Sequence, residues 1–154
     1  MASSNSINLA KSLSKPQEKL PIGEYGGRVR VLKDSFLMSA IINNGDEIAF
    51  EFLPEGAKII DAEMRQDKTL GAGCTLQLGL KAYSDQDGSA VSEASDSLIA
   101  AAAATSSQKL QMANEAGYGS EIGSGKAQVF ATIAGANTTA TDALIEILVK
   151  YIVA

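Results

Sequence analysis

Residues 43–65 read NNGDEIAFEFLPEGAKIIDAEMR, and no other stretch constrains the chain as tightly. Ile48, Phe50 and Phe52 alternate with Glu47, Ala49 and Glu51. That is the period of two expected of a strand with one buried and one wet face. Leu53-Pro54-Glu55-Gly56 then interrupts the pattern, because Pro54 cannot donate a ladder hydrogen bond and Gly56 tolerates a reversed backbone. Past the turn, Ile60, Ala62 and Met64 are expected on one face and Asp61, Glu63 and Arg65 on the other. Two strands around a turn, with no chemical motif in either, describe a scaffold.

The same signal recurs along the chain. Val29 and Val31 share a parity while Arg28 and Arg30 take the other, in a strand expected to run to Met38. Residues 69–73 form a glycine-punctuated loop, and a strand follows over residues 74–83. In it Cys74, Leu76, Leu78, Leu80 and Ala82 share one parity. Residues 85–89 (DQDGS) close that strand as a turn. Near the end, Val129, Ala131 and Ile133 mark another strand, and residues 137–139 another turn. Residues 141–153 carry the longest β signal, with Ile145, Ile147, Val149, Tyr151 and Val153 on one parity. Leu144, Leu148 and Ile152 lie on the other, as expected of a strand that is central or covered.

Residues 91–112 are different. Ser92 or Ser95 could cap a short helix with Leu98, Ile99 and Ala102 as its apolar stripe, and a Ser/Ala-rich loop reads nearly as well. Residues 114–125 hold glycines 117, 119, 123 and 125 and read as a long exposed loop. Six or more alternating strands without a strand–helix rhythm predict an all-β fold, a jelly-roll-like β-sandwich. It would carry an extended N-terminal arm and one short helix or long loop insertion. The domain is expected over residues 25–154.

Residues 1–24 are rich in Ser, Lys and Pro and cannot offset their chain entropy by burial of their own. A frayed terminus is one reading. The other is an arm that orders on a partner, since Ile7, Leu9, Leu13, Leu20 and Ile22 recur where a linker would have none. The residues expected to touch that partner are Leu9, Lys11, Leu13, Lys15, Lys19, Leu20, Ile22 and Tyr25.

Chemistry is limited by what the chain lacks. It has no histidine and one cysteine, which excludes His-dependent catalysis and a zinc site of the usual ligands. Cys74 can form no intrachain disulfide and is expected in the core rather than as a reactive thiol. The net charge of −5 is wrong for nonspecific nucleic-acid binding, although residues 1–25 are basic by three lysines against two glutamates. No apolar run of about 18 residues suggests a membrane helix, and residues 1–22 lack the apolar segment of a secretory signal. Residues 119–126 (GSEIGSGK) have the wrong spacing for a phosphate loop. Asp85-x-Asp87-Gly88 is half of a calcium loop and reads better as a turn. The pairs Glu47/Glu51 and Asp61/Glu63 fall where alternation demands solvated side chains rather than acid–base catalysts. The expectation is a non-enzyme with no cofactor and no metal.

Four segments together carry a resemblance. They are residues 26–31 (GGRVRV), 45–48 (GDEI), 53–62 (LPEGAKIIDA) and 147–151 (ILVKY). Over residues 25–153 the chain resembles the head decoration, or cement, proteins of tailed bacteriophages. The resemblance implies a jelly-roll-like domain on the outer surface of an icosahedral capsid, bridging subunits of the major capsid protein. It also implies a location in the virion and self-association, as a homotrimer or a dimer, with neither nucleic acid nor membrane as partner. The alternative is a β-rich tail, fibre or baseplate component binding glycans through the glycine-rich loops. Four Tyr, four Phe and no Trp offer little for a sugar platform.

Overall fold

The computed structural model describes residues 28–113 and 115–153, so the arm proposed for residues 1–24 lies outside the described residues. Ten strands and no helix occur among the described residues. They are β1 (Val29–Leu37), β2 (Glu47–Leu53), β3 (Ala57–Gln66), β4 (Thr75–Leu80), β5 (Tyr83–Ser84), β6 (Ala90–Val91), β7 (Ala94–Ala103), β8 (Gln108–Gln111), β9 (Ala127–Ala134) and β10 (Leu144–Val153).

The topology is that of a long antiparallel hairpin rolled into two layers. From its tip outward β4 pairs with β7, β3 with β8, β2 with β9 and β1 with β10, all antiparallel. Successive pairs fall in alternate sheets, giving the orders β1-β10-β3-β8 and β2-β9-β4-β7. The two-stranded β5–β6 hairpin sits at the tip. This is the jelly-roll-like sandwich expected from the strand count.

The roll depends on corners that switch sheets. Pro54, Glu55 and Gly56 carry the chain from β2 in one sheet to β3 in the other. Gly56 sits at φ +77°, and the N–H of Ala57 donates to the Pro54 carbonyl at 3.2 Å. Leu53 and Ala57, on either side, are both fully buried, so the corner turns at the edge of the core.

Between the sheets lies one apolar cluster, with Leu53, Ile59, Met64, Leu76, Leu78, Leu98, Ile133, Ile145 and Ile147 at its centre. Cys74 is buried among them, and its thiol donates to the Asn137 carbonyl at 3.2 Å. β10 is central in its sheet, as its two apolar faces predict. Ala82, expected to continue the parity of Leu80, is exposed because β4 ends at Leu80.

Three expectations require correction, the first two for a reason of register. Phe52 does not join Ile48 and Phe50 in the core. The β2–β9 register slips between Ala49 and Phe52, which leaves Phe52 43% exposed and puts Leu53 inside. A bulge adds one residue and inverts the parity after it. On β3, Ile59 rather than Ile60 is fully buried, because a bulge opposite Lys150 and Tyr151 leaves Ile60 without a partner. Ala62 and Met64 are buried as expected.

Finally, residues 91–112 contain no helix, and most of them form β7 and β8 rather than a loop. Alanine favours helix as an isolated residue, and here tertiary pairing overrides that preference. The pairing is possible because Gly79 lets β7 pass: a Cβ there would lie 2.0 Å from the Ala94 carbonyl oxygen.

Candidate interaction surface

The register of β1 against β10 decides which side chains face out. Leu32, Asp34 and Phe36 lie opposite Val149, Ile147 and Ile145 and point inward; Leu32 and Phe36 pack on the core. Val29, Val31, Lys33 and Leu37 lie opposite Ile152, Lys150, Leu148 and Leu144 on the outer face. Val29 is 56% exposed and Val31 51%. Sequence parity could not say which set was buried, since both contain apolar residues.

This outer face is divided. Along β1 it exposes the apolar side chains of Val29, Val31 and Leu37, and from β10 across β3 to β8 it is covered by ion pairs between neighbouring strands. Arg65 Nη1 lies 3.3 Å from Glu146 Oε2, and Lys150 Nζ lies 2.8 Å from Asp61 Oδ2. Glu63 accepts from Lys109 at 3.1 Å and has Lys150 at 3.6 Å. Opposite charges across strands at this exposure fix orientation more than they stabilise. A shallow groove of about 270 Å³ runs between Lys33, Leu148, Glu63 and Lys109.

The pairing settles the state of these groups. The hydrogen bond from Lys109, helped by Gln111, holds the Glu63 carboxyl below its ordinary value, against a smaller effect of burial. Asp61 raises the Lys150 ammonium above its own ordinary value. A carboxylate held ionised is poorly suited to act as a general acid, which needs the opposite shift. In the other acidic pair, Glu47 meets Lys81, which also reaches Glu93 at 3.0 Å and lies over the Phe130 ring.

The half calcium loop is a turn held by its own backbone. Asp85 Oδ1 accepts the N–H groups of Asp87 and Ser89 at 3.1 and 2.8 Å. Among the described residues no group of three or more acidic or cysteine side chains is placed to hold a metal ion. In the glycine-rich segment Gly117 and Gly123 are sites of close backbone approach, and Tyr118 stands exposed beside them.

The partner-contact residues expected from sequence, Leu9, Lys11, Leu13, Lys15, Lys19, Leu20, Ile22 and Tyr25, all lie outside the described residues. The structure instead brings forward Val29, Val31, Leu37, Ile41 and Phe52 as exposed apolar side chains, four of them on β1 or β2.

No family model matches the chain, and no curated protein does. Solved structures do. A chain from the capsid of Ralstonia phage GP4 superposes with a TM-score of 0.67 at 17% identity, over 89% of this chain and 92% of that one. A chain of the cyanophage Pam1 capsid asymmetric unit superposes with a TM-score of 0.56 at 23% identity, over the whole of both. At these identities the likeness is one of fold.

Proposed function

We propose that the chain is a structural component of a tailed-phage virion that decorates the outer surface of the capsid and bridges subunits of the major capsid protein. The observation that carries this reading is the shared fold with two phage-capsid chains, matched along nearly the full length of each partner. The divided outer face supports it. A surface with an apolar strip and a fixed lattice of charges suits docking on other proteins better than turnover of a small molecule.

A shell filled with DNA is loaded outward, and a bridging protein adds area that must be broken before two subunits part. Specific interfaces bury roughly 1,200–2,000 Å². Repetition over the lattice multiplies modest individual contacts through avidity. In this reading residues 1–24 strap onto adjacent subunits through Leu9, Leu13, Leu20 and Ile22, with Lys11, Lys15, Lys19 and Tyr25 beside them. The bodies associate as trimers, the symmetry that suits a site where three capsomers meet.

The test is the composition of purified particles. The reading expects a copy number on the scale of the major capsid protein, release of the chain by mild denaturant before the shell opens, and a lower rupture temperature after release. A handful of copies, lost together with the tail, would overturn it.

A further inference from the structure

A two-sheet sandwich has four edge strands, and an open edge is a template for another chain's strand. Three of the four are capped, short or interrupted here. On β7 the Ser97 carbonyl accepts the Gly117 N–H at 2.8 Å, the Ala100 N–H donates to Glu115 Oε1 at 3.3 Å, and the Ala103 carbonyl accepts Gln108 Nε2 at 2.7 Å. The β8 strand is four residues long, too short to guide a partner. On β2 the Glu51 N–H donates to Asp34 Oδ2 at 3.0 Å, and the Phe52 N–H donates to the Glu51 carboxylate at 2.9 Å. The β2 bulge disturbs that edge further.

β1 is the exception. The Met38 N–H donates to the Ala143 carbonyl at 2.9 Å, so the even-numbered residues of this strand bond toward β10. The odd-numbered residues therefore aim their N–H and C=O groups away from the sheet. Of these, the Ser35 N–H is taken by its neighbour Asp34 at 2.8 Å. Among the described residues nothing takes the outward groups of Val29, Val31 and Lys33, and all three residues are exposed.

The side chains around this gap state what it would accept. Arg28, Arg30 and Lys33 have no acidic partner among the described residues, in a protein whose net charge is −5. Residues directly opposite in a ladder share a face, so the neighbours of Val29 and Val31 are apolar and those of Arg28 and Arg30, on the other parity, acidic.

We infer that β1 is a strand-addition site for an extended segment of another protein in which acidic and apolar residues alternate. The segment bonds to the backbone of Val29, Val31 and Lys33, and its carboxylates meet Arg28 and Arg30. Backbone pairing supplies affinity and the alternate side chains supply selection. This rests on the reading of the chain as one that grips other proteins, and it names the contact that reading leaves open.

The test uses the full chain and a capped heptapeptide of alternating glutamate and valine, followed by amide hydrogen exchange. The peptide is expected to slow exchange at Val29, Val31 and Lys33 while leaving Arg30 and Leu32 as they were. A lysine–valine peptide should fail, and added salt should weaken binding. Val31→Pro removes an outward N–H without touching the β10 ladder, and should weaken binding about tenfold or more. Should that variant fold poorly, Arg28→Glu with Arg30→Glu is expected to reverse the preference between the two peptides.

Equal binding of both peptides, or no slowing at the three odd positions, overturns the inference. So does protection already present in the free chain, whether removed by deleting residues 1–24 or by dilution, since the edge would then belong to this chain's own segment or to a second copy. Because no particle enters the assay, a chain absent from capsids could still bind the peptide, and a true capsid component could still fail to.

Discussion

Asp34 and Glu51 join the two sheets at one corner of the sandwich, the carboxylate of one accepting the backbone N–H of the other at 3.0 Å. Asp34 points inward from β1 with its second oxygen on the Ser35 N–H, so a single side chain occupies donors on two edge strands. Asp34→Ala leaves both without a protein acceptor and is expected to cost about 1–2 kcal/mol. In urea the midpoint should fall at unchanged slope. The variant should also aggregate sooner, because β2 loses a group that keeps foreign strands off it.

Phe50 and Phe52 are two residues apart and answer differently to the same change. Phe50 is buried, and Phe50→Ala is expected to cost about 3–5 kcal/mol. Phe52 faces solvent past the bulge, and Phe52→Ala should cost less than about 1 kcal/mol in the isolated protein. If the chain decorates capsids as proposed, the order reverses there: Phe52→Ala is expected to weaken attachment by about tenfold, as for an aromatic anchor. Denaturation curves and particle-binding isotherms check the two halves separately.

That reversal also shows where sequence reasoning ends. The alternation in β2, β4, β9 and β10 was readable because each has a buried face whose period of two persists for several residues. Phe52, Ile59 and Ile60 were not readable, because a bulge is set by the partner strand and leaves no local mark. The Ala100–Ala103 run looked helical because alanine's own preference is local, whereas the glycine that admits β7 lies in β4. Val29 and Val31 were legible as strand and not as surface, since only the register against β10 assigns their face. The open edge itself follows from hydrogen bonds that no residue pattern encodes.

Gly79 offers a direct check on that packing. A Cβ at this position meets the Ala94 carbonyl oxygen at 2.0 Å and the backbone of Ser95, neither of which can yield without unpairing β7. Gly79→Ala is expected to lose at least about 3 kcal/mol, at the upper end for overpacking. Gly88, at φ +81° in the β5–β6 turn, has open space around it. Gly88→Ala should cost only the backbone strain, about 1–2 kcal/mol. Comparable melting temperatures for the two variants would contradict the close approach of the β7 backbone to Gly79.

The ion pairs on the outer face predict an acid limb. Glu63 titrates lower in the folded protein than its ordinary 4.5, so its contribution is present above that value and lost as pH falls through the folded pKa. Asp142, lowered by the hydrogen bond from Lys68, acts in the same direction. Lys150, Lys68 and Lys81 are raised above 10.5, and their contributions persist until pH climbs through that range. Thermal midpoints should therefore be flat through neutrality and fall below pH 4.5. Glu63→Gln should shrink that fall, and no change in its slope would show that the Lys109 contact contributes nothing to it.

The proposed strap makes the last prediction. Residues 1–24 combine five large aliphatic side chains with three lysines, on a body that is itself strongly acidic. If they grip neighbouring subunits, removing residues 1–20 should weaken attachment to capsids by at least about tenfold while leaving the melting of the body unchanged. Two full-length variants separate the causes. Replacing Leu9, Leu13 and Leu20 with Ser should reproduce most of the loss at any ionic strength, because apolar contact is insensitive to screening. Replacing Lys11, Lys15 and Lys19 with Ser should weaken attachment mainly at low salt, since exposed charges act over a Debye length of about 10 Å at 0.1 M. Full attachment by the shortened chain would leave the sandwich as the whole adhesive surface and move the search for anchors to Phe52 and the outer face of β1.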